Sequence, residues 1–126
     1  MPNGKIIEPY YVFEFPTWVN AVAVTKENEV ILVKQYRHGY QRTLIELPCG
    51  GVEPFDKSPL DAMKRELLEE TGYFSNDFVE TCKISANPAS HNNLTYCFLA
   101  LNAELVAAPN LDDSGQIEVI WKRLCN

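Results

Sequence analysis

The chain has 126 residues, of which 46% are hydrophobic and 22% are charged, and its formal net charge is −6. This length and composition predict one globular domain spanning residues 1–126, and the negative charge argues against a nucleic-acid-binding protein with a broad basic face. The longest apolar runs have the length of a strand, far short of the roughly 20 residues needed to cross a bilayer. We therefore expect neither nucleic acid nor a membrane among its partners.

The cysteines and the amino terminus indicate the compartment. Four cysteines occur without any CxxC spacing, and a zinc cluster or a redox pair would need closer pairing, so reduced thiols are expected. The amino terminus has no apolar stretch behind a basic start, which argues against a secretory signal. Both observations predict a cytoplasmic protein. The cysteines are Cys49, Cys82, Cys97 and Cys125.

Strands dominate the predicted elements, and one strong helix interrupts them. Runs rich in β-branched and aromatic residues, separated by turn-forming residues, indicate strands, and a polar turn at residues 26–29 joins two of them into a hairpin. Many strands with a single strong helix predict an α+β domain. The predicted strands, in chain order, are residues 10–15, 19–25, 30–36, 43–47, 78–85, 94–101 and 117–121.

The helix is predicted over residues 58–72 from its end signals. Ser58 is suited to the N-cap, Pro59 to the first helical position, and Gly72 to the left-handed residue that ends the helix. Apolar residues recur at helical spacing on one side and are expected to face the core. These residues are Leu60, Met63 and Leu67.

The same helix carries three glutamates on one face. Glu66, Glu69 and Glu70 fall within an arc of roughly 100°. Glu66 and Glu70 repel each other at i,i+4, and acids in a last helical turn oppose the helix dipole. A solvated acidic surface is the ordinary interpretation of such a face. However, the glycine pair just before the helix exposes backbone carbonyls, and a set of oxygen ligands is what a hard divalent cation prefers.

Residues 50–73 resemble the Nudix box, which combines a glycine, a glutamate and an Arg-Glu-hydrophobe-x-Glu-Glu-x-Gly-hydrophobe segment. Outside the box, Gln35-Tyr36-Arg37, Glu46-Leu47-Pro48 and Asn87-Pro88-Ala89 look like the branch that hydrolyses ADP-ribose and related nucleoside diphosphate sugars. The resemblance therefore extends over nearly the whole chain. The box residues that match are Arg65, Glu66, Leu67, Glu69, Glu70, Gly72 and Tyr73.

The resemblance implies a Nudix fold, an α/β/α sandwich with a mixed β-sheet and the box as loop–helix–loop. It implies that a nucleotide-derived small molecule is the substrate, and that Mg²⁺, with Mn²⁺ as an alternative, polarises the diphosphate and lowers the pKa of an attacking water. In the catalytic set, Arg65 orients a box carboxylate, and Glu66, Glu69 and Glu70 hold the metal, with the carbonyl of Cys49 as a further ligand. The substrate-binding residues would be Arg37, Glu46, Gly50 and Gly51.

The chain departs from the family pattern in the box loop. Counting from Gly51 places Lys57 where the first glutamate is expected, which indicates one extra residue in the loop. Asp56 or Glu53 is then the acidic partner of Arg65. Lys57 is expected to be solvated, with contact to a substrate phosphate as the less favoured alternative.

Two further departures affect the last part of the chain. Gly115 occupies the place of a glutamate that serves as general base in relatives, so Asp113 or Glu118 would substitute, or the reaction would need no separate base. Glu118, within a strand, is favoured as a surface residue. The closing helix usual in the family is expected to be absent, which would leave one sheet face uncovered unless a partner covers it.

The remaining polar and aromatic residues leave alternatives open. Arg37 either grips a phosphate or forms an ion pair with Glu46. His38 and His91 are expected in loops as surface or substrate contacts rather than metal ligands. The aromatic residues within 10–15 are expected in the core or in a dimer contact, because relatives commonly dimerise through this region, and a homodimer is the expected state.

These observations lead to one functional hypothesis and two alternatives. The hypothesis is a Mg²⁺-dependent hydrolase of a nucleoside diphosphate linked to another moiety, ADP-ribose or a nucleotide sugar, that yields a nucleoside monophosphate and a sugar phosphate. The first alternative is a nucleoside triphosphate pyrophosphohydrolase. The second is a weakly catalytic nucleotide-sensing or interaction domain, motivated by Lys57, Gly115 and the expected lack of a closing helix.

Overall fold

The computed structural model describes residues 1–109 and 116–125. Eight strands and one α-helix follow one another along these residues, in the order β1–β4, α1, β5–β8. Their bounds are β1 Trp18–Thr25, β2 Glu29–Arg37, β3 Arg42–Glu46, β4 Cys49–Gly51, α1 Pro59–Thr71, β5 Tyr73–Phe74, β6 Asp77–Ile84, β7 Thr95–Leu105 and β8 Ile117–Arg123.

The strands form a mixed sheet built around β1 and β7, which run parallel to each other. All other pairings are antiparallel: β1 with β2 and β4, β2 with β3 and β8, and β7 with β5 and β6. β1 contacts β2 only near its carboxyl end, at Ala23 and Val24, while its first residues pair with β4. This register brings β4 beside the start of β1, where the glycine pair of the box lies.

Helix α1 packs on one face of β1 and β7. Ala62, Met63 and Leu67 are fully buried and form one cluster with alternate residues of the two strands. Several of these strand residues are alanines, whose small side chains let the helix backbone approach the sheet closely. The strand residues in the cluster are Val19, Ala21, Ala23, Phe98, Ala100 and Ala103.

The predicted helix ends are confirmed. Oγ of Ser58 accepts a hydrogen bond from the backbone N–H of Asp61 at 3.1 Å, and Pro59 begins the helix. Gly72 lies in the left-handed region with φ of 76° and donates its N–H to the carbonyl of Leu68 at 2.8 Å. The predicted α+β class, with a mixed sheet and a loop–helix–loop, is therefore confirmed. Within the described residues α1 is the sole α-helix, and it is too short and too polar to cross a membrane.

The predicted strand at residues 10–15 is wrong. The structure has a single isolated bridge there, between Phe13 and His91, and the aromatic side chains, expected in the core or in a dimer contact, are half or more exposed, which excludes the core. The physical reason is that a strand needs a partner along its length, whereas only Phe13 meets one, and Pro9 and Pro16 at the flanks donate no N–H. The exposed fractions are Tyr10 59%, Tyr11 75%, Phe13 56% and Phe15 50%.

Two short strands were not predicted from the sequence. β4 contains the glycine pair and β5 contains only two residues, Tyr73 and Phe74, so neither has the length or alternation that marks a strand. Both are defined by their neighbours, because β4 pairs with β1 and β5 with β7. The other predicted strands are confirmed within a few residues of their ends, and β7 extends four residues further than expected.

Candidate active site

The predicted carboxylates lie on the side of α1 that faces β4 and the loop before the helix. Because Ala62, Met63 and Leu67 are fixed in the core, the rotation of α1 is set by packing. The three glutamates are consequently presented together, but their exposure differs. The side chain of Glu66 is 15% exposed, whereas that of Glu69 is 42% exposed.

Arg65 organises the amino-terminal half of this cluster. Its Nε and Nη2 donate to the two oxygens of Asp56 at 3.0 and 2.9 Å, and Nη2 also donates to the carbonyl of Gly51 at 3.1 Å. Nη1 donates to Glu66 at 2.9 Å and to Glu69 at 3.1 Å. One guanidinium therefore joins the box loop, the end of β4 and two helix carboxylates, using the fork geometry that suits arginine to carboxylates.

Asp56 is the acidic partner of Arg65, which is one of the two alternatives that the sequence left open. Its side chain is only 4% exposed, and the hydrogen bonds from Arg65 hold the pKa of Asp56 below its ordinary value. Glu53, the other alternative, takes part through its backbone, because its N–H donates to Asp56 Oδ2 at 2.8 Å. Lys57 is exposed, in agreement with the solvated interpretation.

Gly50 makes room for Glu66. A Cβ atom at Gly50 would lie 2.1 Å from Cδ of Glu66 and 2.3 Å from its Oε1, far inside van der Waals contact. The absence of a side chain thus lets the Glu66 carboxylate lie directly against the backbone of β4. By contrast, a Cβ at the neighbouring Gly51 would meet its nearest atom, Cγ of Pro16, at 3.5 Å. The requirement for glycine is steric at position 50.

Glu70 lies at the other side of the cluster, against Cys49. The N–H of Cys49 donates to Oε2 of Glu70 at 3.2 Å. Burial raises the pKa of Glu70 to about 7, although the Cys49 N–H opposes this shift, and burial also raises the pKa of Glu66. Burial, followed by the charge of Glu70, raises the pKa of the Cys49 thiol to about 11, so this thiol is neutral. The backbone of Cys49, rather than its sulfur, is positioned to support Glu70.

The ion-pair alternative for Arg37 is the one that the structure shows. Its Nε donates to Glu46 Oε2 at 2.9 Å, and its Nη2 lies 3.8 Å from the sulfur of Cys49. The pair is partly exposed, and through Cys49 it borders the carboxylate cluster. Arg37 and Glu46 therefore lie next to the box residues, while their role towards a substrate stays a prediction.

The donor set suits a hard divalent cation, but Arg65 already bridges part of it. Within residues 1–109 and 116–125 no group of three or more His, Cys, Asp or Glu side chains is arranged to hold a metal ion. The contacts explain this, because Nη1 of Arg65 lies between Glu66 and Glu69, while Glu70 turns to Cys49. The oxygens are nevertheless those that Mg²⁺ prefers, and they are partly desolvated. The residues fit Mg²⁺ provided that it displaces the Nη1 hydrogen bonds.

The other sequence candidates lie away from the cluster or outside the described residues. Glu118 is exposed and pairs with Lys34 at 3.7 Å, as expected for a surface residue. His91 packs edge-on against Phe13 and Phe15 rather than near the glutamates. The general-base candidate Asp113 and the departure at Gly115 fall within 110–115, outside the described residues.

Cavity size alone does not locate this site. A cavity of about 590 Å³ lies beside the carboxyl end of β1, at the opposite end of the strand from β4. Its lining includes Thr25, Lys26, Tyr73 and Trp121, but none of the box carboxylates. The chemistry of the clustered acids, not the volume of a depression, therefore identifies the candidate active site.

Comparison with known proteins shows the family of the chain. A family model described as the NUDIX domain matches residues 15–124. An ADP-ribose pyrophosphatase of Bacillus subtilis (strain 168) is 32% identical over 121 residues, and a methanol dehydrogenase activator of Bacillus methanolicus is 27% identical over 121 residues. Each alignment covers 95% of this chain but only 64% of the relative, so the chain spans less than two thirds of the length of these relatives.

A solved structure confirms the fold. The crystal structure of an ADP compounds hydrolase superposes with a TM-score of 0.73 at 23% identity, covering 84% of this chain and 57% of that one. Likeness at this identity concerns the fold and says nothing further of the activity. The box residues share one helix face, the family model covers most of the sequence, and the relatives include ADP-ribose pyrophosphatases. The chain belongs to the Nudix family.

Proposed function

We propose that this protein is a Mg²⁺-dependent hydrolase that cuts the diphosphate bond of a nucleoside diphosphate linked to another moiety. ADP-ribose or a nucleotide sugar is the proposed substrate, and a nucleoside monophosphate and a sugar phosphate are the products. The observation that carries the proposal is the pair of desolvated carboxylates, Glu66 and Glu70, held against the backbone of Gly50 and Cys49. The name of the Bacillus subtilis relative supports the substrate class.

The proposed metal ligands are Glu66, Glu69 and Glu70, with the backbone carbonyl of Cys49 as a further one. Burying carboxylates without enough positive charge is unfavourable, which is why the pKa values of Glu66 and Glu70 are raised. A divalent cation would supply that charge. Mn²⁺, which also prefers oxygen ligands, is an alternative.

The other residues of the site position these ligands. Arg65 donates hydrogen bonds to Glu66 and Glu69. Asp56 accepts two hydrogen bonds from the same guanidinium, which therefore links the box loop to the helix. The N–H of Cys49 orients Glu70. The chemistry that Mg²⁺ supplies when bound is polarisation of the diphosphate and neutralisation of charge on the leaving phosphate.

Arg37 and Glu46 are proposed to line the substrate site together with Gly50 and Gly51. The Arg37 guanidinium is directed by Glu46 through Nε. Its remaining N–H groups face the Cys49 side of the cluster, where a phosphate oxygen bound near the carboxylates would lie within reach. Glu46 thus acts on the substrate through the orientation of Arg37.

The experiment that tests this proposal is a panel assay of phosphate release, coupled through a phosphatase. The substrates are ADP-ribose, nucleotide sugars, dinucleoside polyphosphates and nucleoside triphosphates, each with Mg²⁺ and with a chelator. Chelator-sensitive turnover of ADP-ribose or a nucleotide sugar is expected. Turnover restricted to nucleoside triphosphates would favour the pyrophosphohydrolase alternative, and the absence of turnover by folded protein would contradict the hydrolase.

A second candidate function is an effector domain that acts on another enzyme. The name of the Bacillus methanolicus relative, a methanol dehydrogenase activator, favours it. The two candidates differ in what stabilises the protein: an effector without a working metal site gains thermal stability from its nucleotide but little from Mg²⁺. A hydrolase gains from Mg²⁺ alone, because the cation relieves the buried carboxylates.

We also propose that the protein is a homodimer through its amino-terminal segment, residues 10–15. The exposed aromatic side chains of this segment present more apolar surface to water than a monomer normally does. Light scattering of the intact chain and of a variant with Tyr11 and Phe13 replaced by serine tests this. A dimer that becomes a monomer in the variant is expected, and an intact chain that is monomeric at micromolar concentration would contradict the proposal.

A further inference from the structure

The hairpin β6–β7 brings two cysteines together that are far apart in sequence. Cys82 of β6 lies directly opposite Cys97 of β7 in the antiparallel register, and both are free thiols. Residues opposed in an antiparallel pair have Cα atoms about 4.5 or 5.5 Å apart, and both separations fall within the range of about 4.4–6.8 Å that a disulfide accepts. The sequence analysis expected no redox pair because it considered only neighbouring cysteines.

The two cysteines differ in access to solvent. Cys82 is exposed and Cys97 is half-buried. Burial, followed by the neighbouring Cys82 thiol, raises the pKa of Cys97. Cys82 is therefore the sulfur that a reagent in solution meets first, and Cys97 is the neighbour that can act on it next.

Thr81 fixes the local register of the pair. The pairing of β6 with β7 shifts between Glu80 and Cys82, so Thr81 is the extra residue of a bulge. Its Oγ1 donates to the carbonyl of Cys97 at 3.1 Å and lies 3.9 Å from the sulfur of Cys82. The residue that follows the bulge is thus held opposite Cys97 in the register.

The pair lies on the sheet face away from the candidate active site. On β7, Phe98 and Ala100 belong to the core cluster beneath α1. Successive side chains of a strand point to opposite faces, so Cys97 faces away from the helix that carries the glutamates. Chemistry at the pair can therefore be followed without disturbing the proposed metal ligands.

We propose that Cys82 and Cys97 form a redox modification site, a cross-strand dithiol that a small-molecule disulfide oxidises to an intramolecular disulfide. The thiolate of Cys82 attacks one sulfur of the small disulfide, which forms a mixed disulfide and releases one small thiol. The thiolate of Cys97 then attacks the sulfur of Cys82, which closes the protein disulfide and releases the second small thiol. Two protein thiols are oxidised, one small disulfide is reduced to two thiols, and the two protons pass to the released thiols.

The test treats the intact protein with excess oxidised glutathione, blocks the remaining thiols by alkylation, and measures intact mass and non-reduced tryptic peptides. Trypsin cleaves after Lys83 and so separates the two cysteines unless they are bonded. Before alkylation, the intact oxidised protein is expected to be about 2 Da lighter than the reduced chain, because closing the disulfide removes two hydrogens. The tryptic digest is expected to contain one linked peptide pair, Cys82 with Cys97. The variant Cys97→Ser is expected to retain one glutathione on Cys82.

A matched control replaces an exposed cysteine outside the hairpin. The variant Cys125→Ser is expected to form the same linked pair as the intact sequence. Glutathione that stays on Cys82 in the unsubstituted protein, a crosslink between other cysteines, or four unmodified thiols would each overturn the proposal. These readouts are independent of hydrolase activity, so they remain decisive even if the proposed function fails.

Discussion

Asp56 receives two parallel hydrogen bonds from Arg65, and the same guanidinium reaches Glu66 and Glu69 in the following turn of the helix. A loop residue thereby controls the position of carboxylates on α1. Asp56 was one of the two acidic partners expected if this loop has one extra residue, and through it the guanidinium connects the loop to the box helix.

Replacing Asp56 by alanine should destabilise the protein by about 1.5–3 kcal/mol, because the partly buried guanidinium of Arg65 loses two charge-assisted hydrogen bonds, while two carboxylates of α1 still accept from its Nη1. Urea denaturation at pH 7 measures this. The matched control is Asp61→Asn, which changes an exposed acid in the first turn of the same helix. If Asp56→Ala unfolds at the same urea concentration as the control, Asp56 does not hold the guanidinium.

The same pair predicts a response to acid. The folded pKa of Asp56 lies below its unfolded value, so its contribution to stability is complete above the unfolded pKa of about 3.9 and is lost as pH falls through the folded pKa. Asp56→Ala should therefore lose less stability than the unsubstituted protein as pH decreases below about 4. Parallel stability curves for the two proteins in that window would contradict this.

Gly50→Ala should displace the Glu66 carboxylate, because the new Cβ would lie 2.1 Å from its Cδ. We expect only a small loss of stability, because the obstructing atoms are the far end of the flexible Glu66 side chain, and we expect the gain in melting temperature on adding Mg²⁺ to disappear. Gly51→Ala is the steric control, since its Cβ would meet Pro16 at an ordinary 3.5 Å. Equal Mg²⁺ gains in the two variants would show that contact with Gly50 does not position Glu66.

Glu70 predicts a pH dependence of opposite sign to that of Asp56. In the absence of a divalent cation its folded pKa is about 7, above the ordinary value of 4.5, so the folded state binds more protons between these values. The stability from Glu70 is complete below the unfolded pKa and is lost as pH rises through about 7. Thermal melts in chelator should show this decline, and Glu70→Gln should remove it. A decline that persists unchanged in Glu70→Gln would assign it to another group.

Protons and Mg²⁺ should compete for the same carboxylate. Because a cation binds the charged form of Glu70, the Mg²⁺-induced rise in melting temperature should increase between about pH 6 and pH 8. Melts in a series of Mg²⁺ concentrations at each pH measure the effect. If the Mg²⁺-induced rise in melting temperature does not change with pH, Glu70 does not bind the cation.

Local signals predicted the helix and its acidic face from the sequence. Ser58 and Gly72 act through hydrogen bonds to residues three or four positions away, so they mark the ends of α1 without knowledge of the fold. The shared face of Glu66 and Glu70 follows from helical geometry alone. For the same reason Met63 and Leu67 were assigned correctly to the core, against which the partly buried Leu60 packs.

Contacts between distant segments could not be predicted in this way. The choice of Asp56 rather than Glu53 depends on the path of an irregular loop, and the fit of Glu66 against Gly50 depends on how α1 packs on β4. The pairing of Cys82 with Cys97 depends on strand register. At residues 10–15 a strand was predicted that the structure does not have, because high β-propensity does not make a strand where no neighbouring strand pairs with it.

The most direct test of the central claim measures the initial rate of ADP-ribose hydrolysis against Mg²⁺ concentration for the unsubstituted protein, Glu70→Gln and the control Asp61→Asn. The unsubstituted protein and the control should be inactive in chelator and recover with Mg²⁺ to rates within about twofold of each other. Glu70→Gln should stay folded. Its rate of hydrolysis should fall by more than the roughly 10–100-fold loss that follows when a residue supporting a metal ligand is removed. A Glu70→Gln variant that hydrolyses ADP-ribose at the unsubstituted rate, or activity that persists in chelator, would contradict the proposed carboxylate-held metal site.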